Sequence, residues 1–594
     1  MTSEPAAPGS EAVYLFRDET IDNAEHIHTV YARIKILNEK GREDFSDVII
    51  PYEKGESSVK LVEGRTIHSD GSVVSFTGAA FDRLVRKSES ETSMEKVFTL
   101  PDVQSGSIVE YRYVMRFDAW SELMPEWDLQ QKIFVRRAHY NVSSGGGQIL
   151  QFLPPGAKVI GGGMSGQYDL EVSNVPALPD EEDAPPKGNV SYRVVFTGWG
   201  WTDYLTWSDH VDHFASPSGP LKAAVAKIVD PADSEEQKLE KIYTAVMQLE
   251  NTDFSRQHSE AENRDAGQKE KSAKDIWINQ RGDSDEITLL LIALARAARL
   301  KIYAMVVVDR NLHLYDKNDK GMDQFDDLIA IAAIDGKEIY LDPGERYCEF
   351  GRLQWNHAGT EGWRQTAKGP VLAQTPEPQA ADSAVVRTAN LRLNADGTLA
   401  GSIRITMEGV EALRWRQRAL RTDDEEAGKE FGDSLKSSLP KGTDVKVDSF
   451  RGLTSVAGPL EANLEVSGTA GSSTRGRVVV PGTFFEDGAS PRFATPERET
   501  AVYLHSPYTI LDQVEISVPS DFKAASLPHD VQLSMPGFAD FGAKYRLDAG
   551  VYKYSRIERV AGIWCPVTGY PELRRFFQGM SAQDHEPVLF ERTR

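Results

Sequence analysis

Ser284, in the middle of the sequence, has a side chain of a type suited to hydrolytic or acyl-transfer chemistry. Ser284 lies within Arg281-Gly282-Asp283-Ser284-Asp285-Glu286, directly ahead of the apolar run Ile287 to Leu300. A run that long with so little polar face predicts a helix buried at the centre of a domain. Gly282 and Asp283 sit where the chain must turn. That puts Ser284 at or near the first helical turn, where free backbone N–H groups point outward. A nucleophile gains there because the helix terminus favours an anion. For a serine hydroxyl the gain is about 0.3–1 kcal/mol, up to about 2, too little to ionise it at neutral pH. A base is needed.

The block resembles the core of the transglutaminase-like superfamily, in which Gly-Asp-Cys opens the buried helix and a later His and Asp complete a Cys-His-Asp triad. Gly282, Asp283 and the helix match, and Ser284 stands at the cysteine position. The family's histidine opens the strand after a polar loop; here the matching letters are Phe325-Asp326-Asp327, so the resemblance implies Asp327 at that place. Leu341-Asp342-Pro343 matches the family's aspartate. The implied core is α+β and papain-like, a helix followed by antiparallel strands.

No imidazole is expected at this site, and a carboxylate at Asp327 is far less basic than the alkoxide it would have to generate. The expectation is a catalytically degenerate protein with a binding or structural role. One alternative is a residual Ser284-dependent acyl transferase or peptidase-like hydrolase. Another is an acidic cleft, with Asp283, Asp285, Glu286 and Asp326 around Asp327 and Asp342, holding a cation or a basic ligand. If Asp327 and Asp342 are adjacent, they must share a proton, pair with a basic residue or bind a cation. A glycosidase-like acid and base pair has only the residue types in its favour. Cys348 and His357 are close in sequence, which is not evidence of a site, and Cys348 reads as a buried thiol. His210 and His213 lack a third ligand in register. No cofactor and no metal is expected.

Around this centre, 594 residues are too many for one core. Residues 12–198 alternate in short strands with turns such as Ser69-Asp70-Gly71, an all-β, sandwich-like pattern. Leu100-Pro101-Asp102-Val103 and Gly106 leading into Ile108-Val109-Glu110-Tyr111-Arg112-Tyr113 resemble an uncharacterised bacterial domain that precedes transglutaminase-like cores in exported proteins. His26, His28 and His68 read as surface or turn residues. Gly161-Gly162-Gly163 lacks the context and lysine of a phosphate cradle. Glu181 to Pro186 and the aromatic stretch Trp199, Trp201, Tyr204, Trp207 mark the passage to the core, 199–375. Ser234 with Gln237 predicts a capping box and an amphipathic helix, and 256–271 a charged loop. Gly369 to Asp382, above all 376–382, reads as a linker. Residues 383–594 form a β-rich region with a helical insertion near 410–439, after a polar tail at 1–11.

The formal net charge of −23 argues against nucleic acid or an anionic membrane as partner. Two cysteines far apart exclude a disulfide framework, and no apolar run is long enough to span a bilayer. The partner expected is a protein, a peptide or a polysaccharide. The resemblance implies a periplasmic or exported protein; without a signal peptide in this sequence, a cytoplasmic one is the alternative.

Overall fold

The computed structural model describes residues 3–87, 92–117, 125–143, 148–161, 166–197, 203–254 and 272–593. It is multidomain and strongly β-rich, with several sheets over three large apolar cores that draw on different stretches of chain. The expected loop at 256–271, Trp199, Trp201, Gly162 and Gly163 lie outside the described residues.

In the N-terminal region, Ala12–Asp22 and Ile27–Ile36 form a hairpin at the middle of an eight-stranded sheet. Ala12–Asp22 runs parallel to Val135–Ser143 on its other side. The core beneath is aromatic, with Trp127 packed on Tyr140, Tyr168 and Phe196 at centroid distances of 5.3, 5.9 and 5.3 Å. His28 differs from the turn or surface role expected of it. It sits on a strand and its Nε2 is 3.0 Å from Glu19 Oε1.

The C-terminal region repeats this connectivity. Ala384–Leu393 and Thr398–Met407 form the central hairpin, and Ala384–Leu393 runs parallel to Tyr508–Ser517. Beyond each hairpin the next neighbour is a later strand, Ile108–Phe117 or Leu460–Thr469. The earlier strand, Ser57–Ile67 or Thr443–Arg451, lies outside it. The two eight-stranded sheets therefore share the order of seven strands, and the eighth, Val73–Ser75 or Val531–Met535, is added at opposite ends. The helical insertion is two helices, Val410–Ala419 and Asp424–Lys436.

Between these regions, Ser284–Ala297 is the central helix, with Ile287 to Ala295 entirely buried. Its apolar surface on all sides is what a helix surrounded by other elements requires. Glu235–Val246 begins with the predicted Ser234–Gln237 capping box and buries Leu239, Ile242, Tyr243 and Val246. The central helix packs on an antiparallel five-stranded sheet ordered Lys337–Leu341, Asp327–Ile334, Lys301–Val307, Glu361–Arg364, Val371–Gln374. The last strand corrects the linker expectation for 369–382. Val371–Gln374 pairs with Glu361–Arg364 despite the flanking prolines, because Pro370 and Pro376 fall just outside the paired residues. Only the remainder connects, through a short turn of helix at Ala380–Asp382.

The acidic stretch at 181–183 marks less a passage than a clamp. Glu181 accepts from the Glu499 and Thr500 N–H groups at 2.7 and 2.9 Å, and Glu182 from Phe493 N–H at 3.0 Å. Asp183 pairs with Arg492 at 2.5 Å. Three consecutive carboxylates thus tie the N-terminal region to the C-terminal one.

Candidate functional site

Asp283 is the N-cap of the central helix and Ser284 its first residue. Asp283 Oδ1 accepts from Glu286 N–H at 2.8 Å, and Glu286 Oε2 accepts from Asp283 N–H at 3.1 Å, a reciprocal box that fixes the helix start. The Ser284 N–H donates to Asp253 Oδ2 at 3.0 Å. Its hydroxyl donates to the Gly344 carbonyl at 3.1 Å, while the Asn251 amide donates to Ser284 Oγ at 3.3 Å and to the same carbonyl at 2.8 Å. Gly344 is needed for this approach: a Cβ there would come within 2.8 Å of the Ser284 carbonyl oxygen.

Asp327 opens the Asp327–Ile334 strand and Asp342 follows the neighbouring strand Lys337–Leu341. The antiparallel pairing of these strands brings the two carboxylates to one end of the sheet. His357 fills the space between them, with Nδ1 2.8 Å from Asp342 Oδ2 and Nε2 3.0 Å from Asp327 Oδ2. The expectation of no imidazole at the site is thereby corrected. The histidine arrives from a loop beyond both strands, and it pairs with the aspartates, one of the three resolutions their proximity demanded. That loop is tied down on several sides. Gln354 N–H donates to Asp342 Oδ2 at 2.9 Å, the Thr375 hydroxyl to the His357 carbonyl at 2.8 Å, and the Tyr243 hydroxyl to the Cys348 carbonyl at 2.9 Å.

Burial by itself would push the His357 imidazolium down. The charge of Asp342 and the hydrogen bonds to both aspartates outweigh it and hold His357 well above its ordinary value. Both ring nitrogens then donate, one to each carboxylate. An imidazolium in that state has no lone pair with which to take a proton.

Two further carboxyls nearby are pushed up. Glu345 rises to about 7, chiefly through burial and then the charge of Asp342, against the pull of His357 and a hydrogen bond from Gln417. Asp285 also rises to about 7, through desolvation and then Asp283, Asp327 and Asp253. Asp285 keeps an exposed surface although protein crowds its carboxyl, so water tempers these repulsions. Asp326 takes the Asp309 N–H at 2.9 Å and lies 3.3 Å from His313, on the approach to Asp327.

Cys348 and His357 do not form a thiol site. Cys348 is a buried free thiol whose Sγ lies 3.6 Å from the Arg352 carbonyl, and burial pushes it well above its ordinary value. That is the environment of an inert cysteine. His357 left one sequence signal, being the sole histidine between Asp327 and His505.

A family profile for a domain of unknown function with a solved structure, DUF3857, matches residues 22–179. No curated protein matches the chain. Among solved structures, one described as a "putative protease" from Parabacteroides distasonis superposes with a TM-score of 0.61. It covers 98% of this chain and 99% of its own at 14% identity. At that identity the likeness is one of fold, and it extends over nearly the whole molecule. A "putative cysteine protease" from Cytophaga hutchinsonii, at 11% identity over 50% of this chain and 75% of its own, has a TM-score of 0.16, too loose an overlap to bear on the fold.

Proposed function

We propose that this chain is a transglutaminase-like protein whose Ser284 site no longer turns over substrate, and that it acts by binding a protein, peptide or polysaccharide in the bacterial envelope. The observation that carries the reading is the double engagement of His357 by Asp327 and Asp342. In a working triad one ring nitrogen faces the nucleophile as an acceptor while the other is oriented by a carboxylate. Here a carboxylate stands at each nitrogen, and the Ser284 hydroxyl donates to a backbone carbonyl. Neither group is set to transfer the serine proton. The same bridge weakens the cation-binding alternative, because the imidazolium supplies positive charge where an ion would sit. The N-terminal resemblance to a domain of exported proteins supports the envelope setting. Among the described residues no helix is long and apolar enough to cross a membrane.

A fluorophosphonate probe tests the reading against the alternative of a serine hydrolase. The expected result is no labelling of the wild-type chain above that of Ser284→Ala at pH 7 to 8. Labelling of wild type that disappears in Ser284→Ala would establish an activated serine and overturn the proposal.

A further inference from the structure

We propose that the outer edge of the Lys337–Leu341 strand takes up an extended basic peptide as an added strand, in a cavity between the central and C-terminal regions. Lys337–Leu341 is the terminal strand of its sheet. It joins its neighbour through the two-residue turn Asp335-Gly336, with φ of 49° and 77°. Such a turn makes Ile334 and Lys337 a hydrogen-bonded closing pair. Alternation then turns Ile339 and Leu341 inward and leaves the backbone N–H and C=O of Glu338 and Tyr340 directed away from the sheet. Among the described residues no backbone hydrogen bond reaches these groups from outside the sheet.

Glu338, Ile339 and Tyr340 all line a cavity of about 560 Å³. Successive strand side chains point to opposite faces, so three consecutive lining residues place the cavity along the strand's edge. An edge of unpaired backbone groups is a template for another strand, and recognition by strand addition uses it in that way. The volume falls in the range of real ligand sites, about 300–1,000 Å³, and a junction between regions is where such sites concentrate.

The walls select the sign of the ligand. Glu349, Glu377 and Asp382 line the cavity with two guanidiniums, Arg352 and Arg416, while the fourth carboxylate, Glu338, is paired with Arg364 at 2.7 Å, which leaves Glu377 as the surplus charge. Arg416 is 1% exposed and donates to the Gly452 and Gly458 carbonyls. Arg352 is held by Glu349 at 3.0 Å and Asp382 at 3.4 Å. Glu377 is exposed, with the Gln374 amide as its hydrogen-bond donor at 2.9 Å. A basic strand meets attraction here and an acidic one repulsion. Phe350, Leu353 and Trp355 offer apolar surface for the side chains between the charges. The inference goes beyond the reading of the Ser284 site and stands whether or not that serine is silent.

The test is titration of the full chain with a capped heptapeptide of alternating lysine and valine. Its glutamate–valine counterpart and a backbone N-methylated lysine–valine version serve as comparisons. The lysine–valine peptide is expected to bind, about tenfold or more weakly in Tyr340→Pro and in Glu377→Lys, and unchanged in Ser284→Ala. Tyr340→Pro removes an outward N–H, a place where an edge strand tolerates proline. Glu377→Lys alters an exposed side chain and tests the charge even if the proline variant misfolds. The two comparison peptides are expected not to bind. Three results would each overturn the proposal: no binding at about 1 mM, equal binding of the N-methylated peptide through bulk attraction to the acidic chain, or loss of binding in Ser284→Ala.

Discussion

Asp342→Ala is expected to destabilise the central region by about 3–5 kcal/mol, the range for removing one partner of a buried ion pair. Asp342 is 1% exposed and His357 2%. Asp342 Oδ2 takes both the Gln354 N–H and the His357 ring N–H. Alanine would leave a buried imidazolium with one carboxylate and an unpaired backbone N–H, and water cannot readily replace either partner. The anchor of the 342–357 loop would go with it. Calorimetry is the appropriate measurement, with the central transition followed separately, because a chain with three cores is not expected to unfold in one step. The two-residue variant Asp342→Ala with His357→Gln should lose less than the sum of the single changes, as residues in one network do. A loss below about 1 kcal/mol, the range of an exposed pair, would show that Asp342 and His357 are not a charged pair.

The stability of the central region is also expected to fall as pH rises from 6 to 9. The folded state holds His357 above its ordinary value, so the stabilisation is complete below the unfolded value of about 6.5. It is lost as pH climbs through the folded one. Each unit between the two values is worth about 1.4 kcal/mol. Asp285 and Glu345, both pushed up to about 7, act with the same sign at lower pH. Their protonated forms favour the folded state, and that contribution fades from their ordinary carboxylate range up to about 7. His357→Gln should therefore remove the His357 part of the profile and, because the imidazolium pulls Glu345 and Asp285 down, move their part to higher pH. Nitrogen-detected NMR of the imidazole gives an independent reading, with both ring nitrogens expected to remain protonated through neutral pH. A ring that titrates below 6.5 would refute the charged bridge and restore to Ser284 a candidate base.

The two predictions rest on the residue least visible in the sequence. Asp283, Ser284 and the buried helix were legible because an uninterrupted apolar run preceded by Gly-Asp has few other solutions. Asp327 and Asp342 were legible only through the family resemblance, carried by Phe325-Asp326-Asp327 and Leu341-Asp342-Pro343. His357 had no such marker. It lies in a loop without periodicity, 15 residues beyond Asp342, and nothing local directs its ring toward a sheet end.

By itself the sequence determined the central helix and where it starts, the strands that follow it, and the presence of a serine, Ser284, in the first turn of that helix. These follow from hydrophobic period, turn chemistry and residue identity, all of which are local. Only the tertiary structure decided what stands between the aspartates. Two carboxylates brought to one end of an antiparallel sheet demand a counter-charge, and burial makes that demand severe. Which residue answers it depends on the path of the 343–357 loop across the fold, and that path is fixed by contacts with Tyr243, Thr375 and Gln417, residues far away in the chain.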